Sequence, residues 1–138
     1  MTTTRKIKVA VIDMNNGVPN QGLRSILDVV KMYKENTGLN VTCDVFDLRQ
    51  KNEIPGLSYD IYISSGGPGS PFDGEGQEWE NAFFKLLDDV EAYNLNTSSF
   101  KKYIFLICHS FQMACRKYHL GQVTKRKSTA FGIFPISL

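Results

Sequence analysis

The sequence predicts an α/β protein with an open, mainly parallel sheet and helices on both faces. Strand and helix patterns follow each other in the order strand, helix, strand, strand, helix, strand, helix, which implies right-handed crossovers around one sheet. Residues 8–13 are short, β-branched and apolar at nearly every position, as expected of a strand covered on both sides. The length of 138 residues corresponds to one domain, residues 1–138.

The first half of the chain predicts two strands with a helix between them. Residues 8–13 form a central parallel strand. Residues 21–37 carry apolar side chains at helical spacing until Gly38 stops the helix. The period then changes from 3.6 to 2, so residues 41–48 are predicted as a second strand nearer the sheet edge.

The second half predicts two further strands, each followed by a break and a helix. Residues 59–65 form a third strand that ends in a glycine-rich turn, and a helix is predicted over 77–93. Residues 103–108 are the most continuously apolar strand, and a short helix follows over 111–119.

The last segment is predicted as a pair of short strands. Residues 122–125 and 130–138 have strand-like composition, and the basic residues 126–128 are predicted as the turn that joins them. No linker, repeat or second domain is predicted.

Composition excludes several classes of protein. Sixteen Lys and Arg residues against fourteen Asp and Glu residues give a net charge of +2, too small to predict a nucleic acid or a membrane surface as partner. Three cysteines without a CxxC pair fit neither a disulfide framework nor a metal site. No apolar run reaches the roughly 18 residues of a membrane span, and no secretory signal is recognisable, so a cytoplasmic protein with reduced thiols is expected.

Two strand ends carry candidate chemistry, because ligands bind at the carboxyl ends of the strands in open α/β sheets. The first is the turn after the third strand, where Gly66, Gly67 and Gly69 permit positive φ and leave backbone N–H groups uncovered. Such a turn is typical of an anion or oxyanion site. A tight strand-to-helix loop without chemistry is the alternative.

The second is Cys108, which closes an apolar strand just before a helix. This is the position of a nucleophile on a strand-to-helix elbow, where a helix N-terminus favours the thiolate. The backbone N–H of His109 is a candidate oxyanion donor there. The alternative is a buried structural cysteine, which is the interpretation preferred for Cys43 in a strand and Cys115 within a helix.

Together, residues 60–71 (DIYISSGGPGSP) and 107–112 (ICHSFQ) resemble the class I glutamine amidotransferases, the glutaminase domains of enzymes such as guanosine monophosphate synthetase. The resemblance extends from Lys8 to Leu138. It implies a flavodoxin-like fold that hydrolyses glutamine to glutamate and ammonia through a cysteine thioester, without a cofactor, and passes ammonia to a synthase domain or subunit.

The resemblance also implies the roles of individual residues. Cys108 is the nucleophile, the N–H groups of Gly67 and His109 form the oxyanion hole, and Gln112 and Gly66 contact the substrate. No metal is implied.

The sequence departs from the family pattern in two places. Leu106 and Ser110 stand where the family elbow, Gly-x-Cys-x-Gly, has glycines. The family's general base is a histidine followed two residues later by glutamate, and the chain is expected to be truncated before that segment. A non-catalytic amidotransferase-like binding or regulatory module therefore remains an alternative. A flavodoxin-like cysteine hydrolase is another, although Gln112 favours the amidotransferase.

Overall fold

The computed structural model describes residues 5–128, 132–133 and 135–137. Its elements are β1 (Ile7–Asp13), α1 (Gln21–Thr37), β2 (Val41–Asp47), α2 (Leu48–Lys51), β3 (Ile61–Ser64), α3 (Glu78–Asn96), β4 (Tyr103–Leu106) and α4 (His109–Tyr118).

The four strands form one open sheet in the order β2-β1-β3-β4, with every pair parallel. Val9 of β1 faces Cys43 of β2 on one side and Ile61 of β3 on the other. The prediction of an open parallel α/β sheet is therefore confirmed, with β1 in a central position and β2 at an edge. Parallel pairing also places the carboxyl ends of β1, β3 and β4 along one rim of the sheet.

Helices cover both faces of β1, whose side chains alternate between two apolar clusters. Val9 and Val11 belong to the cluster that α1 covers. Ala10 and Ile12 belong to the cluster formed with α3 and α4. Burial on both sides explains why β1 is apolar at successive positions, since neither face meets water.

Helix α1 ends at the glycine that the sequence predicts, and an asparagine caps its first turn. The Asn20 side chain accepts a hydrogen bond from the N–H of Gly22 at 2.6 Å, which satisfies one of the free donors of the first turn. Gly38 ends the helix in the left-handed conformation, with φ of 66°, where a residue without Cβ has no steric penalty.

Three helices differ from the prediction, the smallest difference being in α4, which begins at His109 rather than at residue 111. Helix α3 extends to Asn96, three residues further than expected, and the Asn94 side chain exchanges hydrogen bonds with the backbone of Lys102, each 2.8 Å long. Asn94, a residue type common in loops, therefore stays helical because its side chain is bonded to the residue just before β4. The one-turn helix α2, capped by Asp47, is too short to produce a periodic pattern.

The predicted strand over 122–125 is wrong, because these residues form no strand in the structure. The expected basic turn at 126–128 accordingly joins no hairpin. In the predicted strand 130–138, residues 132–133 and 135–137 are not in a strand either, and the others lie outside the described residues. Strand-like composition is insufficient here because 122–125 pairs with none of the strands in the described part of the chain, and a strand depends on that pairing.

Candidate functional site

The candidate site lies on the rim where β1, β3 and β4 end. Met14 follows β1, the Gly66–Gly67 pair follows β3, and Cys108 follows β4 with one residue between them. The N–H of Met14 donates to the Ser65 hydroxyl at 2.9 Å. Arg49 of α2 joins the same loops, because one guanidinium nitrogen donates to the carbonyls of Met14 (3.3 Å) and Pro68 (2.8 Å).

Cys108 has an unusual backbone conformation, with φ of 50° and ψ of −104°. This lies outside the regions allowed for residues with a Cβ, including the small left-handed helical region. Such conformations cost about 1–3 kcal/mol and cluster at functional sites. Cys108 is the N-cap of α4, yet its thiol caps no N–H group of the described chain and is exposed to solvent. The backbone between β4 and α4 therefore makes a sharp, strained turn at Cys108, and the role of the thiol as a nucleophile stays a prediction.

Ser110 shows how the elbow forms without the expected glycine. Its buried hydroxyl lies 3.1 Å from the carbonyl oxygens of Ser64 and Ser65 and 3.0 Å from that of Ile107. The same oxygen accepts from the N–H of Ile107 at 3.1 Å. The serine thus ties the elbow to the end of β3. At the other glycine position, Leu106 ends β4 and packs against the apolar core, so its side chain is accommodated as well.

Gly66 and Gly67 lie in close packing and do not use the positive φ that a glycine permits. Of the three glycines singled out in the turn, only Gly69 has positive φ, at 89°. A Cβ added to Gly66 would lie 3.3 Å from the Cys108 Cβ. A Cβ added to Gly67 would lie 2.3 Å from the Met14 carbonyl oxygen. The loop therefore passes close to the nucleophile on one side and to β1 on the other.

Both predicted oxyanion donors are free to bind a ligand. Within residues 5–128, neither the N–H of Gly67 nor that of His109 donates a hydrogen bond to another group. The N–H of His109 belongs to the first turn of α4, whose donors have no intrahelical acceptor. The assigned roles in an oxyanion hole remain predictions.

The His109 side chain is buried at the base of the elbow, with 1% of the residue exposed. Burial lowers the pKa of its imidazole below the ordinary value; nearby Arg49 and Arg116 lower it further, and Asp73 acts in the opposite direction. The ring is consequently neutral at neutral pH. Its Nε2 atom has no hydrogen-bond partner among the described residues.

His119 lies at the opposite end of α4 from the thiol. It is the C-cap of the helix, in the left-handed conformation with φ of 53°. A helix of 10 residues spans about 15 Å at 1.5 Å per residue. Direct proton exchange between His119 and Cys108 is therefore excluded in this arrangement.

Gln112 lines a cavity of about 500 Å³ beside the glycine-rich loop. Gly69 to Phe72 form one wall, and residues 123–126, which include Lys125 and Arg126, form another. Neither Cys108 nor Gly66 is part of its lining. The structure thus brings Gln112 to the loop and to two cationic side chains, while the thiol lies outside this cavity.

The three cysteines are free thiols in different surroundings. Cys43 and Cys108 are exposed and Cys115 is partly buried, so the interpretation of Cys43 as a buried structural residue is wrong. Although the residue is exposed, partial desolvation of its thiol, and secondarily the carboxylate of Asp44, raises the pKa of the Cys43 thiol. A higher pKa leaves less thiolate at neutral pH.

We expect Cys108 to be alkylated faster than Cys43 and Cys115 in the native protein at pH 7. Cys108 is exposed and precedes the free N–H groups of a helix, whereas the pKa of Cys43 is raised. Brief treatment with iodoacetamide followed by peptide mapping measures all three rates in one sample. Faster modification of Cys43 or Cys115 would contradict the assignment of Cys108 as the nucleophile.

The described part of the chain has no group of three His, Cys, Asp or Glu residues placed to hold a metal ion. None of its helices has the length and apolar character needed to cross a membrane. Comparison with known proteins found no match among family models, curated proteins or solved structures. A functional assignment therefore depends on the geometry of the site.

Two contributors to the site were missed by sequence reasoning. The sequence marks Ser110 only as a departure from the family's glycine and gives no indication of Arg49. A serine next to an elbow could have been recognised as a hydroxyl able to bond nearby carbonyls. Arg49 left no signal, because its acceptors lie 35 and 19 residues away along the chain.

Proposed function

We propose that the chain is a glutaminase domain of the class I glutamine amidotransferase type, with Cys108 as its nucleophile. The observation that carries this proposal is the strained backbone of Cys108 between β4 and α4, which presents an exposed thiol at the carboxyl rim of the sheet. The strand order β2-β1-β3-β4 is that of the first four strands in flavodoxin-like folds. We assign the chain to that fold as part of the same proposal.

The chemistry follows from the groups at the rim. The Cys108 thiolate attacks the amide carbon of glutamine, and the carbonyl oxygen becomes an oxyanion. The free N–H groups of Gly67 and His109 stabilise that charge, and one such donor contributes about 100- to 1,000-fold to the rate in known acyl-transfer sites. Expulsion of ammonia leaves a γ-glutamyl thioester, which water hydrolyses to glutamate. The last two steps need a proton carrier.

The cavity beside Gln112 suits the polar end of an amino-acid substrate. Lys125 and Arg126 line it, and two cations favour a carboxylate. Ammonia released at Cys108 would then pass to a synthase domain or subunit. The cytoplasm keeps free thiols reduced, and we propose it as the location of the protein.

The proposal is tested with a glutamine analogue whose amide NH2 is replaced by CH2Cl. The thiolate displaces chloride, a C–S bond forms, and the adduct is measured on intact protein and mapped to a residue. We expect the L-enantiomer to modify Cys108 at least about tenfold faster than the D-enantiomer, a discrimination ordinary for a shaped pocket. The L-reaction should saturate with concentration, and free L-glutamine should slow it.

The D-enantiomer controls for the intrinsic reactivity of the thiol with a chloroketone, and Cys108→Ala controls for modification at other residues. Equal rates for the two enantiomers would reject glutamine as the substrate and leave a cysteine hydrolase of other specificity. Absence of reaction at Cys108 with both enantiomers would favour the non-catalytic module.

A further inference from the structure

Arg116 makes an unusual set of contacts in the third turn of α4. Its side chain is only 14% exposed and pairs with the carboxylates of Glu80 and Glu75. The guanidinium also donates to the carbonyl of Pro71 and lies 4.7 Å from the centre of the Phe72 ring. One buried side chain thus joins α4, the start of α3 and the loop that follows β3.

These contacts link the two halves of the proposed site. Helix α4 begins immediately after Cys108, and Pro71 and Phe72 belong to the loop that carries Gly66 and Gly67. Arg116 is therefore rigidly connected to the nucleophile through its helix and to the oxyanion turn through the loop. A planar guanidinium can bind several acceptors at fixed angles, which a lysine ammonium cannot reproduce.

Glu80 explains why the guanidinium is fixed in place. Its side chain is 4% exposed, and it lies in the first turn of α3, where a negative charge is favoured by the helix N-terminus. A buried carboxylate needs a charged or hydrogen-bonding partner, and Arg116 is that partner. Lys117, the next residue of α4, instead pairs with the exposed carboxylate of Asp88 at 2.7 Å.

We propose that Arg116 is a positioning residue that fixes the glycine-rich loop, residues 66–76, relative to Cys108. The inference rests on the proposed glutaminase function, because it concerns how the oxyanion turn is held against the nucleophile. Arg116 itself contacts neither the thiol nor the substrate. Its loss should slow the chemical step that needs the loop while leaving the thiol itself as reactive as before.

The experiment compares Arg116→Lys with the wild type and with Lys117→Gln, which removes the neighbouring ion pair with Asp88. Two reagents distinguish an effect on the loop-dependent reaction from an effect on the reactivity of the thiol itself. The chloroketone analogue of L-glutamine gives a maximal rate of inactivation, kinact, and a half-saturation concentration, KI. Methyl methanethiosulfonate has no carbonyl group: the thiolate attacks its sulfenyl sulfur, forms a disulfide and releases methanesulfinate, which reports thiol reactivity alone.

We expect Arg116→Lys to lower kinact for the chloroketone by about tenfold, since small displacements of reacting groups have effects of this order or larger. The rate with methyl methanethiosulfonate should not change, and Lys117→Gln should resemble the wild type with both reagents. Arg116→Met should lower kinact further than the lysine variant, because lysine retains the charge opposite Glu80.

Unchanged kinact in a folded Arg116→Lys protein would overturn the inference, as would an equal slowing with both reagents. If Arg116→Lys unfolds at the assay temperature, Glu75→Gln takes its place. The Glu75 side chain is exposed, and its replacement weakens one contact of the guanidinium with the loop while keeping the ion pair with Glu80. A fall in kinact of about threefold is then expected, and no fall would count against the inference. A wild type that fails to distinguish L- from D-chloroketone would instead reject the proposed function.

Discussion

Gly67→Ala is expected to lower the melting temperature and to slow modification of Cys108 by the L-chloroketone by about 100-fold. The new Cβ would lie 2.3 Å from the Met14 carbonyl oxygen and 3.0 Å from its carbonyl carbon. Met14 cannot move away easily, because it is fully buried and its N–H is bonded to Ser65. Overpacking of this kind costs about 1–3 kcal/mol, equivalent to a fall of roughly 4–12 °C.

Gly66→Ala separates the effect on the site from the effect on the fold. Its Cβ would meet the Cys108 Cβ at 3.3 Å and the Sγ atom at 4.0 Å, so a shift of a few tenths of an ångström relieves the contact, whereas the 2.3 Å contact at Gly67 demands a much larger one. We expect slower modification with a melting temperature within about 2 °C of wild type, since little beyond the site is disturbed. Gly121→Ala is the matched control, because an added Cβ there meets nothing within 4 Å. Wild-type modification rates in both loop variants would show that the loop does not contribute to the site.

The expected loss of stability in Gly67→Ala could not be predicted from the sequence alone. A GGPG turn indicates glycines that permit positive φ, and this says nothing about contacts between the turn and the rest of the fold. The structure gives Gly67 a different role, as the point where the loop contacts the backbone after β1. Contact between segments more than 50 residues apart leaves no local pattern, so only the structure could reveal it.

Local patterns were sufficient for most of the sheet. Strand β1 was predicted at the centre because it is apolar at successive positions, as a strand buried on both faces is. Strand β2 was predicted nearer the edge because its apolar residues alternate with polar ones, as in a strand buried on one face. The position of Cys108 between an apolar strand and a helix was also predictable, but its strained φ and ψ angles leave no pattern in the sequence. The strand predicted over 122–125 failed because pairing partners, rather than composition, decide whether a short segment joins a sheet.

The side chains that shape the site were less predictable than its backbone. The Ser110 hydroxyl contacts carbonyls 45 and 46 residues earlier in the chain, and Arg116 reaches Glu80 across 36 residues. On the sequence, Glu80 is one polar residue near the start of an amphipathic helix, with nothing to indicate burial. Such contacts depend on how α3 and α4 pack over the sheet, which periodicity does not specify.

The 138-residue polypeptide is expected to release no ammonia from glutamine above the level of its Cys108→Ala variant. A thiolate at the elbow can attack the amide, but ammonia must leave with a proton and the thioester must then be hydrolysed by an activated water. The chain contains two histidines. His119 is at the far end of α4, and the His109 ring is buried among the cationic side chains of Arg49 and Arg116. Loss of one member of a catalytic group commonly costs nearly as much as loss of all of them.

Coupled detection of glutamate and ammonia measures this directly, with the L-chloroketone reaction on the same sample showing that the nucleophile is intact. Turnover that depends on Cys108 would contradict the prediction and assign the base to one of the two histidines. The pH profile then identifies which one. Burial lowers the pKa of His109 below the ordinary value of 6.5, so a reaction that needs its neutral ring would remain active as the pH falls below 6.5 and fail only at lower pH. Loss of turnover in His119→Asn, an exposed substitution, would identify His119 instead and would require α4 to adopt a different position from the one in this structure.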